Sequence, residues 1–278
     1  MVSTRAAAVA VAAVVFGAAA CNSDRASAPP DTVLTDQQVS KDVAVSEGEA
    51  IAADLASLLN SASLVGGSFS IQSAPSQRFD LQSSADSCAY TSGRWTCAPR
   101  IEDGLTVSRS YAFFDGAGQP MKVKNDLTTA SINFELAING VVSRDSSFSG
   151  VVHRTRNVTI SGLLGKETTR RWDGFGISAD TNTHRSSLTT RTYAGKSVDS
   201  LRAVVYSQPR PPSSYPLSGS MVRVVKYLVT STGRGTERRT VDRRVVVTYN
   251  GTSAAQVQTG SVICTLHLDT HRVDSCSG

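Results

Sequence analysis

Ile132-Asn-Phe-Glu-Leu-Ala-Ile-Asn139, followed by Gly140 and Val141, is the stretch that decides the fold class. Ile132, Phe134, Leu136 and Ile138 alternate with Asn133, Glu135, Ala137 and Asn139, the period-two pattern of a strand with one buried face. Asn139-Gly140 has the chemistry of a two-residue hairpin turn. The spacing therefore predicts a return strand from Val141, with Glu135 opposite Arg144.

The same pattern continues outward in both directions from about Ser68. Phe114-Asp115-Gly116, Trp172-Asp173-Gly174 and Tyr249-Asn250-Gly251 repeat an aromatic-Asx-Gly signal that reads as hairpin tips. Their irregular spacing argues against a solenoid or propeller. Val222–Val229 and Val245–Tyr249 carry apolar residues in both phases, which predicts strands covered on both sides. Gln208–Pro216 is too rich in proline for a central strand and reads as a long connection. The expected fold is mainly β: an antiparallel meander forming a curved sheet, half-barrel or sandwich.

One amphipathic helix is expected ahead of the strands. Ser46 and Glu49 have capping-box spacing, and Ile51, Leu55, Leu58 and Leu59 follow at helical intervals to an end near Asn60-Ser61. A helix this short is marginal alone, so its apolar stripe must dock on the sheet. Asn22–Val45, with Pro29-Pro30 and few large apolar residues, reads as a flexible tether.

The amino terminus carries an address. Arg5 supplies a positive n-region, Ala6–Phe16 an apolar h-region, and Gly17-Ala18-Ala19-Ala20 a small-residue end before Cys21. The uncharged run Ala6–Ala20 is shorter than the ~20 residues that cross a bilayer. Small residues, then Cys21 and polar Asn22-Ser23-Asp24, resemble the lipobox of bacterial lipoproteins, with Ala18 standing where Leu is usual in that family. The resemblance covers only the leader. It implies removal of residues 1–20, lipidation of Cys21, and a membrane anchor in the cell envelope, with the outer membrane favoured because Asn22 replaces the Asp that marks inner-membrane retention. The expected organisation is then a signal peptide over 1–20, a lipidated tether over 21–45 and a single helix-plus-β domain over 46–278.

Cys88, Cys97, Cys264 and Cys276 remain, an even number in an exported chain, which favours disulfides. Cys88-Ala-Tyr-Thr-Ser-Gly-Arg-Trp-Thr-Cys97 reads as a hairpin turning at Ser92-Gly93, with Thr91 facing Arg94, Tyr90 facing Trp95 and Cys88 facing Cys97. Cys264 and Cys276 frame a second hairpin turning near Asp269-Thr270-His271.

No metal or other cofactor is expected. Cys-x-x-Cys is absent, and His267 and His271 lie in strand-like sequence where helical spacing does not make two rings converge. No nucleophile elbow, phosphate loop, dinucleotide fingerprint or zinc-protease motif occurs. For a Ser–His–Asp site the candidate bases are His153 and His267, the latter with Asp269. Trp95 and Trp172 read as packing residues.

Net charge is +5 but unevenly placed: residues 22–60 are acidic, and Arg170-Arg171, Arg238-Arg239 and Arg243-Arg244 are basic doublets later on. These suit anionic envelope components, or the solvent faces of strands where charge blocks edge-to-edge association. Nucleic acid is excluded as a partner by compartment and by lack of a recognition motif. The leading expectation is a non-enzymatic, membrane-anchored envelope protein acting as a binding or structural module. The alternatives are a carrier with an apolar cavity inside a half-barrel, and a periplasmic or extracellular hydrolase.

Overall fold

Thirteen antiparallel strands and one helix make up the computed structural model, which describes residues 34–63 and 88–278 apart from 103, 209, 211–214 and 234. All of these belong to one compact unit, Thr32–Gly278. Cys21, the leader, Pro209, Pro211 and Pro212 lie outside the described residues.

Helix α1 runs Asp36–Ser63. The strands are β1 (Cys88–Thr91), β2 (Arg94–Glu102), β3 (Leu105–Asp115), β4 (Pro120–Met121), β5 (Thr129–Asp145), β6 (Phe148–Ser161) and β7 (Thr169–Arg185). They continue with β8 (Thr190–Ser207), β9 (Ser218–Thr232), β10 (Thr236–Thr248), β11 (Ala254–Thr259), β12 (Val262–His267) and β13 (Arg272–Ser277). Every strand pairs its sequence neighbour except that β3 pairs both the short β4 and β5, so the sheet is a meander. It curves around α1 without closing into a barrel; β1 and β13 are its two edges.

The first hairpin has the predicted register. Cys88 faces Cys97, Tyr90 faces Trp95 and Thr91 faces Arg94, and the two rings meet at 5.2 Å. Both expected disulfides, Cys88–Cys97 and Cys264–Cys276, are present, the second across a hairpin that turns through residues 268–271.

Several sequence expectations are corrected. Asn139-Gly140 is not a turn: β5 runs on to Asp145, and Glu135 faces Asn157 of β6 rather than Arg144. Strand pairing overrides the local turn preference, and Gly140 serves instead where the β2–β3 turn comes close. A Cβ there would sit 2.9 Å from Leu105 Cδ2 and 3.0 Å from the Gly104 carbonyl. Glu135 pairs Arg94 at 3.1 Å. Trp172-Asp173-Gly174 is likewise no hairpin tip but a bulge within β7. Its Asp173 Oδ1 accepts the Ala203 N–H (2.8 Å) at a matching irregularity in β8, where Ala203 has φ 47°. The other two aromatic-Asx-Gly sites are turns, with Asp115 and Asn250 accepting backbone N–H groups two residues on.

The helix begins ten residues before Ser46, so the stretch assigned to a tether up to residue 45 is helical from Asp36. Thr35 is the N-cap, its Oγ1 accepting the Gln38 N–H at 3.1 Å. Ser46 instead donates back to the Asp42 carbonyl at 3.0 Å. Glu49 reaches out to accept the Val273 N–H (3.1 Å), covering a backbone donor of edge strand β13. The expected apolar stripe docks on the sheet, with Ile51, Leu55 and Leu58 all buried, but burial extends beyond that one face. From Asp42 to Ala52 every side chain except Val45 is buried, because the sheet wraps around it. Gly48 permits that approach: a Cβ would lie 2.8 Å from Val273 Cγ2.

β9 and β10 are covered on one face along most of their length, with Val222 the buried exception on the outer side. Met221, Val225, Tyr227, Val229, Val241, Val245 and Val247 pack towards α1, whereas Val224 and Leu228 point outward and are about half exposed (52% and 49%).

Candidate functional site

Two faces of the sheet do different things, and strand alternation separates them. On the helix side the core phase of β6 reads Val152, Arg154, Arg156, Val158, Ile160, so two arginines stand where apolar residues belong. β7 adds Ser178, Asp180 and Asn182, β8 adds Ser197 and Asp199, and β9 adds Arg223, all buried. Their partners come from α1, where Asp36, Ser40, Glu47 and Asp54 are spaced four and then seven apart along one helical face.

Arg223 is at the centre, with no solvent exposure. It meets Glu47 Oε2 and Asp54 Oδ2, each at 2.8 Å, and Asp199. Asp54 also takes Arg156 and, at 3.2 Å, Arg154. Arg156 lies 2.9 Å from Asp199 Oδ2, and Arg154 donates to Asp180 Oδ2 at 2.8 Å. The Tyr227 hydroxyl donates to Glu47. Nearer the helix start, Asp42 pairs Arg191 and accepts the Tyr193 hydroxyl, both at 2.6 Å, while exposed Asp36 takes Arg239 and Arg243. This belt ties one helix to five strands.

Burial opposes the charged form of Asp54, but Arg156, Arg154 and Arg223 outweigh it and hold the carboxyl well below the usual carboxylate range. Asp180 moves the other way: burial raises it, and the Arg154 cation only partly compensates. Asp54 is more acidic folded than at the ~3.9 of an unfolded chain, so its stabilisation is complete above that value and is lost as pH falls through the folded one. We expect the stability gap between the wild type and Asp54→Asn, measured by urea unfolding, to narrow once pH drops below about 4. A gap that stays constant down to pH ~2 would contradict the assigned ion pairs.

On the opposite face a hollow of about 580 Å3 crosses β2, β3, β5, β6 and β7. Thr96 and Pro99 bound it on β2 at an irregularity between Cys97 and Arg100. Ala137 and Thr155 form part of its floor, and Phe175 and Ile177 line it on β7. Its volume lies in the range of small-molecule sites. Glu135, Asn157, Ser108 and Ser110 give it a few polar groups among apolar walls. Sequence reading did not find it. The alternating outward residues of five strands were legible singly, but their registry was not. On the helix side, by comparison, the space beside Leu59, Ala62, Trp172 and Tyr206 measures about 10 Å3, scarcely room for one water.

The candidate bases do not assemble a triad. His153 Nδ1 lies 2.9 Å from Asn139 Oδ1, and His267 Nε2 lies 3.2 Å from Asp274, not Asp269. Asp269 accepts the Thr270 N–H. Among the described residues no three His, Cys, Asp or Glu side chains gather as a metal site. No protein-family model, curated protein or solved structure matches the chain.

Proposed function

We propose that this is an exported envelope protein, anchored by a lipid at Cys21, that works by binding an apolar ligand rather than by catalysis. The observation that carries the binding role is the outer-face hollow with its apolar walls, set against a helix side filled by core and ion pairs. The anchor rests on the leader from Arg5 to Cys21 and its lipobox-like end. The half-barrel carrier would hold its ligand between helix and sheet. That region is occupied by the belt, so the outer hollow is the better place for a ligand.

Two measurements on the same exported chain test the reading. Cys21→Ala should move the protein out of the membrane fraction, and labelling by a palmitate analogue that survives in this variant would reject the anchor. A fluorescent fatty acid should bind the wild-type domain, and Ala137→Trp, which fills the hollow from its floor, should weaken binding at least ~10-fold, about 1.4 kcal/mol, at unchanged thermal midpoint. Absence of probe binding to the wild type would reject the ligand role.

A further inference from the structure

The basic doublets straddle the sheet. Arg239 and Arg243 turn inward to Asp36, whereas Arg238 and Arg244 turn outward and are exposed. The same sorting holds across β8–β10. Inward arginines meet helix or strand carboxylates, while outward Lys196, Arg202, Lys226, Arg238 and Arg244 are exposed and enter no ion pair among the described residues. Outward acids in this region are few. Asp173 is held by Arg171 at 2.6 Å, and Asp242 faces Lys226 across the β9–β10 ladder.

An apolar row runs through these cations. Ile177, Val198 and Val224 are direct cross-strand neighbours on β7, β8 and β9, exposed by 57%, 59% and 52%. Strands ~4.8 Å apart make this a continuous ridge ~10 Å long. Lys196 faces Lys226 on one flank of the row, and Arg244 faces Val224 at its end. Exposed apolar side chains flanked by cations, of which only Lys226 has a carboxylate (Asp242) opposite it, match one surface closely: lipid headgroups with anionic phosphates over acyl chains.

We propose that the outer face of β7–β9 docks on an anionic phospholipid bilayer, with Val198 and Val224 entering the interface and Lys196, Lys226 and Arg244 meeting phosphates. Charge complementarity selects this occupant over a second copy of the chain, because two such faces would bring like charges together. The docking does not depend on the anchor or on ligand in the hollow. Ile177 borders both the row and the hollow, so the variants below avoid it and every other residue lining the hollow, and a Cys21→Ala background removes the anchor; either reading can then fail without the other.

The test is vesicle co-sedimentation of the full chain carrying Cys21→Ala, exported so that its disulfides form. Vesicles are phosphatidylcholine alone, or phosphatidylcholine mixed with phosphatidylglycerol. Binding is expected only to the mixed vesicles, weakening as salt screens the attraction. Lys196→Glu with Lys226→Glu should lower it at least ~10-fold, and Val198→Asp comparably. Lys196→Arg with Lys226→Arg should retain it, as should Val141→Asp on exposed β5 away from the row. No binding, equal binding to neutral vesicles, or binding unchanged by the charge reversal would overturn the proposal. So would a dimer in solution that Val198→Asp dissociates. Thermal midpoints of all variants separate lost docking from lost folding.

Discussion

Arg223→Met should lower the unfolding free energy by about 3–5 kcal/mol, although methionine nearly fills the vacated space. The cost comes from what stays behind. Arg223 supplies a charge partner to Glu47, Asp54 and Asp199, all buried. Without it Glu47 keeps only the Tyr227 hydroxyl, Asp199 keeps Arg156, and Asp54 keeps Arg154 and Arg156. A buried carboxylate deprived of its cation carries an uncompensated desolvation penalty. The intact belt need not contribute stability of that size, because burying seven charged groups has its own cost. Arg223→Met combined with Glu47→Gln and Asp199→Asn should therefore recover a substantial part of the loss. Urea unfolding with the disulfides intact measures both. A single-variant loss below about 1 kcal/mol would mean that water replaces the guanidinium at the centre of the core. Arg243→Met, whose Asp36 partner is exposed, should leave the midpoint nearly unchanged.

What could be read from the sequence follows the range of the interactions. The Cys88–Cys97 hairpin was legible to its register because turn, cystine and aromatic pair lie within ten residues and agree. Asn139-Gly140 was misread because a fourteen-residue partner, β6, competes with its local turn preference and wins. The early helix was missed for a related reason. Asp36, Ser40 and Asp42 look like solvated tether until Arg239, Arg243 and Arg191, some 150 to 200 residues later, are brought to them. One signal was present and passed over: Arg154 and Arg156 share the phase of Val152, Val158 and Ile160. Charge in a core phase announces a buried partner. The hollow and the basic ridge gave no such signal, since both depend on side chains in register across several strands.

Trp172 carries the second large effect. It is among the largest fully buried side chains, packed 5.4 Å from the Tyr206 ring and beside Leu59 and Ala62 at the end of α1. Trp172→Ala should cost about 3–5 kcal/mol, since the surrounding strands cannot collapse into the void while the Asp173 bulge fixes the local backbone. Trp172→Phe should be far milder. The indole Nε1 has no hydrogen-bond partner among the described residues, so phenylalanine deletes a buried unsatisfied donor along with part of the ring. Trp95 is the internal comparison: it is half-buried near the sheet edge, and its Nε1 donates to the Lys122 carbonyl at 2.9 Å. Trp95→Ala should cost well under half as much as Trp172→Ala, because partial burial means less transfer energy is lost and solvent can enter the space. If the order of the two alanine variants were reversed in calorimetry, the core would centre on the first hairpin and not on the end of the enclosed helix.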